Sequence, residues 1–218
     1  MECSGGGMVS EFNWSLDGMK FLDRNDVERL QRFADRQRRD GVRMKRFRLV
    51  RNWFVVEVGL HSGLRVMEIA DLRCGDLLLE QSMPEVIVRR GKGGRRRVVK
   101  VSRFFQARAR WFLAAKRRAA QAVDPDAPLF VARNTARPLC KRQIQKIFEQ
   151  VSRGAELSKH VGIHSLRHTF GTHLYKASGG NLRLVQKQLG HSRITTTQVY
   201  ADVFAEDAMD AVERLYRA

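Results

Sequence analysis

The sequence predicts a mainly α-helical domain that carries a small antiparallel β-sheet, an α+β fold. Three observations predict it. Apolar residues recur at three- and four-residue intervals through most of the chain, which marks amphipathic helices. Between them lie three short runs, "DLLLEQ", "PEVIVRR" and "RRRVVKV", the last two flanking "GKGG", which reads as a hairpin turn. Finally, 218 residues suffice to bury one sizeable core. One main domain is therefore expected over 22–218, after a Gly-rich, aperiodic tail at 1–21.

Taken in order, "NDVERLQRFADRQRRD" carries a capping-box pattern, Asn25 with Glu28 three residues on. Val27, Leu30, Phe33 and Ala34 follow at helical spacing, and Gly41 is expected to stop the helix. "FRLVRNWFVVEVGLHSG" is more continuously apolar and reads as a core helix with Val50, Phe54, Val55 and Val58 as its buried stripe and Gly63 as its C-terminal stop. After "RVMEIADLRCGDL" the three strand-like runs follow. Helical texture returns in "RFFQARARWFLAAKRRAAQA", "KRQIQKIFEQVSRG", the stretch opening at His164, "NLRLVQKQLG" and "EDAMDAVERLYR". The chain shows neither an internal repeat nor a low-complexity tract.

Charge narrows the function classes. Lys and Arg number 41 against 23 Asp and Glu, a formal +18, so a polyanion is the expected partner, nucleic acid ahead of an anionic membrane surface. No run of eighteen apolar residues occurs, and "MECSGGGMVSEF" lacks the basic flank and apolar stretch of a signal peptide, so a cytoplasmic protein is expected. Cys3, Cys74 and Cys140 are odd in number and widely spaced, which argues against a disulfide framework and against a zinc site.

Residues 164–173, "HSLRHTFGTH", hold three of the six histidines around Arg167. A site that handles phosphate needs guanidinium groups, because the planar fork can bind two non-bridging oxygens at once. Arg167 is one candidate. Arg65, at a helix start with Glu68 one turn on to orient it, is another. Either arginine alone reads more readily as a solvated side chain or a plain phosphate contact without chemistry. In "LGHSRITTTQVYADV" a Gly-His pair ends one helix and Tyr200 follows nine residues after His191, a layout that can bring imidazole and phenol to one pocket. A phenol with a pKa near ~10 attacks phosphorus only with cations or a base beside it. A lone Tyr200 reads more simply as an interfacial aromatic.

Together, in this order, "SGLRVMEIADLRCGDL", "GKGGRRRVVKV", "HSLRHTFGTHL" and "LGHSRITTTQVYADV" closely resemble the catalytic domain of the tyrosine recombinases, the phage integrase family, in its Xer-like branch. The resemblance implies that Arg65 and Arg167 clamp the scissile phosphate and that Lys92 of "GKGG" protonates the departing 5′ oxygen. It implies that His164 assists proton transfer from the tyrosine, that His191 hydrogen-bonds the phosphate, and that Tyr200 attacks to leave a 3′-phosphotyrosine. Glu68 and His168 are implied as supporting residues, with His173 packed or on the surface. It further implies site-specific recombination of double-stranded DNA with no cofactor, metal, membrane or small-molecule substrate. The active form would be a homo-oligomer, a tetramer on DNA, joined through a C-terminal helix at about 206–217. Family members carry a helical DNA-clamping domain ahead of this one. Fewer than 25 residues precede the first helix here, so the clamp is expected to be absent from this chain and its duplex affinity weak and largely non-specific. The alternatives are a catalytically idle DNA-binding or regulatory remnant and a type IB topoisomerase-like relaxing enzyme.

Overall fold

The computed structural model describes residues 21–91, 96–132, 137–157 and 161–191. The order is α1 (Arg24–Arg43), α2 (Phe47–Ser62), α3 (Val66–Ala70), a 3₁₀ turn (Cys74–Asp76), β1 (Leu77–Leu78), β2 (Glu85–Val88), β3 (Arg97–Lys100), α4 (Arg103–Arg118), α5 (Lys141–Gly154), α6 (His164–Ala177) and α7 (Leu182–Leu189). The fold is mainly α with a three-stranded antiparallel sheet in the order β1-β2-β3, as the sequence predicts. Of the tail expected at 1–21, only Phe21 falls within the described residues, and Lys92, Tyr200 and the helix expected at 206–217 lie outside them.

α2 is the axis around which the rest packs. Every residue from Val50 to Leu60 is buried, not just a stripe, because α1, α4, α5 and α6 all lie against it. A helix apolar on nearly all sides has this fate in a domain core. Phe54 stacks on Phe112 of α4 with ring centroids 4.2 Å apart, and Phe105 and Phe130 close the cluster. The charge that α2 buries is paired: fully buried Glu57 accepts from Arg108 Nη2 at 3.0 Å, and Arg108 Nε stands 2.7 Å from its other oxygen as an ion pair. At its C-terminus Gly63 takes the left-handed conformation, φ 60°, as expected of the residue that stops it.

Two expectations for α1 need correction. Its N-cap is Asp23, whose carboxylate accepts from the Asp26 N–H at 2.8 Å, instead of Asn25 with Glu28. The start moves back because Leu22 is fully buried and its N–H is held by Thr169 Oγ1 of α6 at 2.9 Å. Nor does Gly41 stop the helix, which runs on to Arg43. Gly41 is instead buried where α1 passes α2, and a Cβ there would lie 2.9 Å from that of Leu49.

The sheet is shorter than its sequence runs suggest. β1 keeps two residues, and β2 pairs with β3 from Glu85↔Lys100 to Val88↔Arg97, so β2 and β3 bracket the segment of sequence in which Lys92 falls. The base of that hairpin is tied down by Arg89, whose Nε donates to Asp76 Oδ1 at 2.6 Å.

α6 reaches the site by packing closely on α2. A Cβ built on Gly59 would lie 2.5 Å from Leu166 Cδ1, so a larger residue must displace the buried Leu166 side chain next to Arg167. Gly59→Val is expected to cost about 1–3 kcal/mol, the usual scale of overpacking, despite a small gain in helix propensity. A urea midpoint within error of wild type would show that the seam can spread at no cost.

Candidate active site

Four chain segments converge on one cationic site, and Arg167 ties two of them together. It lies three residues into α6 and is almost wholly buried. Its Nη1 donates to the Gly63 carbonyl at 2.7 Å, and its Nη2 donates to the Leu189 carbonyl at 2.8 Å. Gly63 ends α2 two residues before Arg65, and Leu189 ends α7 two residues before His191. One guanidinium therefore sets the spacing of the two termini that carry the other candidates.

Arg65 caps α3, and Glu68 holds it twice. The carboxylate accepts the Arg65 backbone N–H at 2.8 Å and its Nη1 at 3.1 Å, which is the orienting contact the spacing suggests. The same carboxylate accepts Arg97 Nη1 at 2.7 Å and Nη2 at 2.9 Å. Burial pushes the Glu68 carboxyl up, but the bonds and charges of Arg97 and Arg65 outweigh it and leave it below the usual carboxylate range.

Sequence reasoning missed Arg97. It stands in a run of three arginines, and strand alternation sets it apart only from Arg96. Val99, two residues on, is fully buried, and Arg97 pairs with buried Val88. A period-two reading of "RRRVVKV" would have put Arg97 on the inner face.

The histidines divide by environment. His191 follows Gly190, whose left-handed φ of 67° closes α7, and its backbone N–H donates to the Gln186 carbonyl at 3.1 Å. Burial, then the charges of Arg167, Arg65, His168 and Arg97, pushes its imidazole down to about 3. His164, the exposed first residue of α6, is lowered by partial desolvation and by Lys141, Arg167 and Arg65. Arg65 and Arg167 thus act on both rings. His168 is half-buried on α6, near enough to His191 to depress it. His173 lies on the exposed side of α6 near Arg24 and Asp23, away from these groups.

The depressed His191 sets a pH dependence. Its folded value near 3 lies below the ordinary 6.5, so unfolding takes up a proton anywhere between them. The stability that depends on its neutral form is complete above 6.5 and is lost as pH falls towards 3. The thermal midpoint of the DNA-free chain is expected to be flat above pH 6.5 and to drop below it, less steeply in His191→Asn. A His191 NMR titration with a midpoint near 6.5 would refute this.

Among the described residues no group of three or more His, Cys, Asp or Glu could hold a metal ion, and no helix is long and apolar enough to cross a membrane. Of the cysteines described, Cys74 is buried and Cys140 exposed, both free.

A family model described as the phage integrase family matches residues 20–207. The chain belongs to that family. Among its relatives, the tyrosine recombinase XerC of Thermodesulfovibrio yellowstonii is 31% identical over 172 residues, covering 78% of this chain and 56% of that protein. XerC of Xylella fastidiosa is 37% identical over 151 residues, covering 69% and 48%. The fold matches the crystal structure of the XerH site-specific recombinase bound to its difH substrate in a pre-cleavage complex, with a TM-score of 0.69 and 26% identity over 87% of this chain and 52% of that one. It also matches crystalline XerA recombinase, with a TM-score of 0.65 and 27% identity over 83% and 57%. The catalytic-domain fold of the phage integrase family is thus shared, and the chain spans about half the length of the curated relatives it matches.

Proposed function

We propose that this chain cleaves and rejoins double-stranded DNA at specific sites through a 3′-phosphotyrosine link to Tyr200, in the cytoplasm. The observation that carries the reading is the double tie of Arg167 to the Gly63 and Leu189 carbonyls, which gathers Arg65, His164 and His191 about one cationic pocket. Such a pocket suits a phosphodiester passing through a more highly charged transition state.

In this mechanism the Tyr200 oxygen attacks phosphorus, a P–O bond forms to the phenol, and the bond to the 5′ oxygen breaks. His164, lowered in pKa and therefore neutral near pH 7, accepts the phenol proton. Lys92 gives a proton to the departing 5′ oxygen. Arg65 and Arg167 hold the non-bridging oxygens, and neutral His191 donates an N–H to the same phosphate. Rejoining runs the steps in reverse. One phosphodiester replaces another of similar energy, so the exchange requires neither a nucleotide nor a metal. Double-stranded DNA as the partner is supported by the likeness to XerH, whose structure holds its difH substrate, and assembly as a tetramer on DNA, through the helix expected at 206–217, belongs to the same proposal.

The experiment is incubation with a library of duplexes, each nicked just 3′ of a randomised cleavage position, so that the short fragment released with a free 5′ hydroxyl diffuses away and the adduct is trapped. A denaturation-resistant protein–DNA adduct is expected, and its DNA identifies the site. Duplex binding without any adduct would make the chain an idle DNA-binding module. Plasmid relaxation that ignores the recovered site would make it a topoisomerase-like enzyme.

A further inference from the structure

Arg97 is given no part in the proposed mechanism, yet it sits at the junction of three of its parts. We infer that Arg97 is a positioning residue that acts through Glu68, fixing the direction of the Arg65 guanidinium and keeping the trio of Arg65, Glu68 and Arg97 net positive towards the scissile phosphate. This role rests on the DNA cleavage proposed above.

The geometry carries the inference. An ionised carboxylate offers about four acceptor positions. Glu68 Oε1 accepts from Arg65 Nη1 and Arg97 Nη1, and Oε2 accepts from the Arg65 backbone N–H and Arg97 Nη2, so the two arginines fill all four. The Glu68 side chain is 4% exposed and that of Arg97 14%, so water cannot readily stand in for either. A bidentate fork also fixes the plane of the carboxylate, and with it the one direction from which Arg65 Nη1 can donate.

Charge points the same way. Two guanidiniums and one carboxylate sum to +1, whereas Arg65 and Glu68 alone sum to zero. Without Arg97, the buried carboxylate would neutralise the arginine meant to hold the phosphate. With Arg97, Glu68 orients Arg65 and the site stays cationic.

Arg97 is itself held on two sides. A Cβ at Gly190 would lie 2.6 Å from both its Cδ and its Nε, so the arginine runs directly beneath the residue before His191. It also begins β3, the strand that follows "GKGG" in the sequence. The register of β3 is thereby locked to the clamp, and α7 meets the same strand where Gln188 Oε1 accepts the Lys100 N–H at 3.1 Å.

The test is single-turnover cleavage of the trapping duplex by wild type, Arg97→Ala, Glu68→Gln and the double substitution, each checked first for its thermal midpoint and its duplex affinity. Arg97→Ala is expected to slow cleavage about 10- to 100-fold, as when the partner of an active-site ligand is lost, with affinity near wild type. Its rate is also expected to fall off on the acid side at a higher pH than in wild type, because Glu68 loses the pairing that offsets its burial. In the Glu68→Gln background the same substitution should cost no more than about twofold, since coupled residues are not additive. If Arg97→Ala does not fold, Arg97→Lys, which keeps the charge and loses the fork, takes its place in the cycle. Losses that multiply across the two positions would mean that Arg97 meets DNA on its own. Recovery of Arg97→Ala on a substrate with a 5′-bridging sulfur would mean that it works through the Lys92 turn. Either result overturns the inference. A wild-type chain that forms no adduct overturns the cleavage reading itself, before any variant is compared, and removes this role with it.

Discussion

Tyr200→Phe is expected to abolish the covalent protein–DNA adduct while leaving duplex binding near wild type. The chain has three tyrosines, and the structure disposes of one rival. Tyr175 packs with Phe170 and Leu174 of α6 against Val185 and Leu189 of α7, so its ring is spent on holding those helices together. Tyr216 lies in the segment expected to form the terminal helix. Tyr200 alone follows His191 at the spacing of the family motif, and the site that would receive it is strongly cationic, which favours a phenolate over a phenol. Phenylalanine keeps the ring and removes only the attacking oxygen. Loss of a nucleophile in enzymes with covalent intermediates lowers rates on the order of 10⁶-fold, so no adduct should be visible by denaturing gel. An adduct that persists in Tyr200→Phe and disappears in Tyr216→Phe would move the nucleophile to the terminal segment.

The sequence makes local features of this site legible and hides the long-range ones. Glu68 orients Arg65 across three residues of one chain, and Gly63 and Gly190 close helices by a conformation that glycine adopts without strain, so each could be expected from neighbouring letters. The order of helices and strands is legible for the same reason, since period and turn chemistry are local. By contrast, the carbonyl partners of Arg167 lie 104 and 22 residues away, at chain ends that only the packing of α2, α6 and α7 brings together. Arg97 binds a carboxylate 29 residues distant, and its two arginine neighbours mask it. α1 is capped by Asp23 and not by Asn25 because burial of Leu22 against α6 outweighs a capping pattern two residues later. In each case the deciding contact is tertiary, between residues far apart in the chain.

Lys92→Ala and Arg167→Ala are expected to differ in how they respond to the leaving group. If Lys92 protonates the 5′ oxygen, its loss should slow cleavage of an ordinary phosphodiester about 10² to 10⁴-fold, the usual worth of general acid help. A substrate whose 5′-bridging oxygen is replaced by sulfur leaves as a thiolate and needs no proton, so Lys92→Ala should recover most of its rate on it. Arg167→Ala should not recover. Its proposed work is on the non-bridging oxygens, which the sulfur leaves unchanged, and loss of one such electrostatic contact costs about 10² to 10³-fold. It carries a second penalty, because the Gly63 and Leu189 carbonyls would lose the donor that spaces Arg65 from His191. Arg167→Lys isolates that penalty: it retains a positive charge, but an ammonium on a flexible stem cannot reproduce a planar fork spread over two carbonyls. It too should stay slow on the sulfur substrate. Equal recovery of the Lys92 and Arg167 variants, or of neither, would show that "GKGG" supplies no acid and only touches DNA.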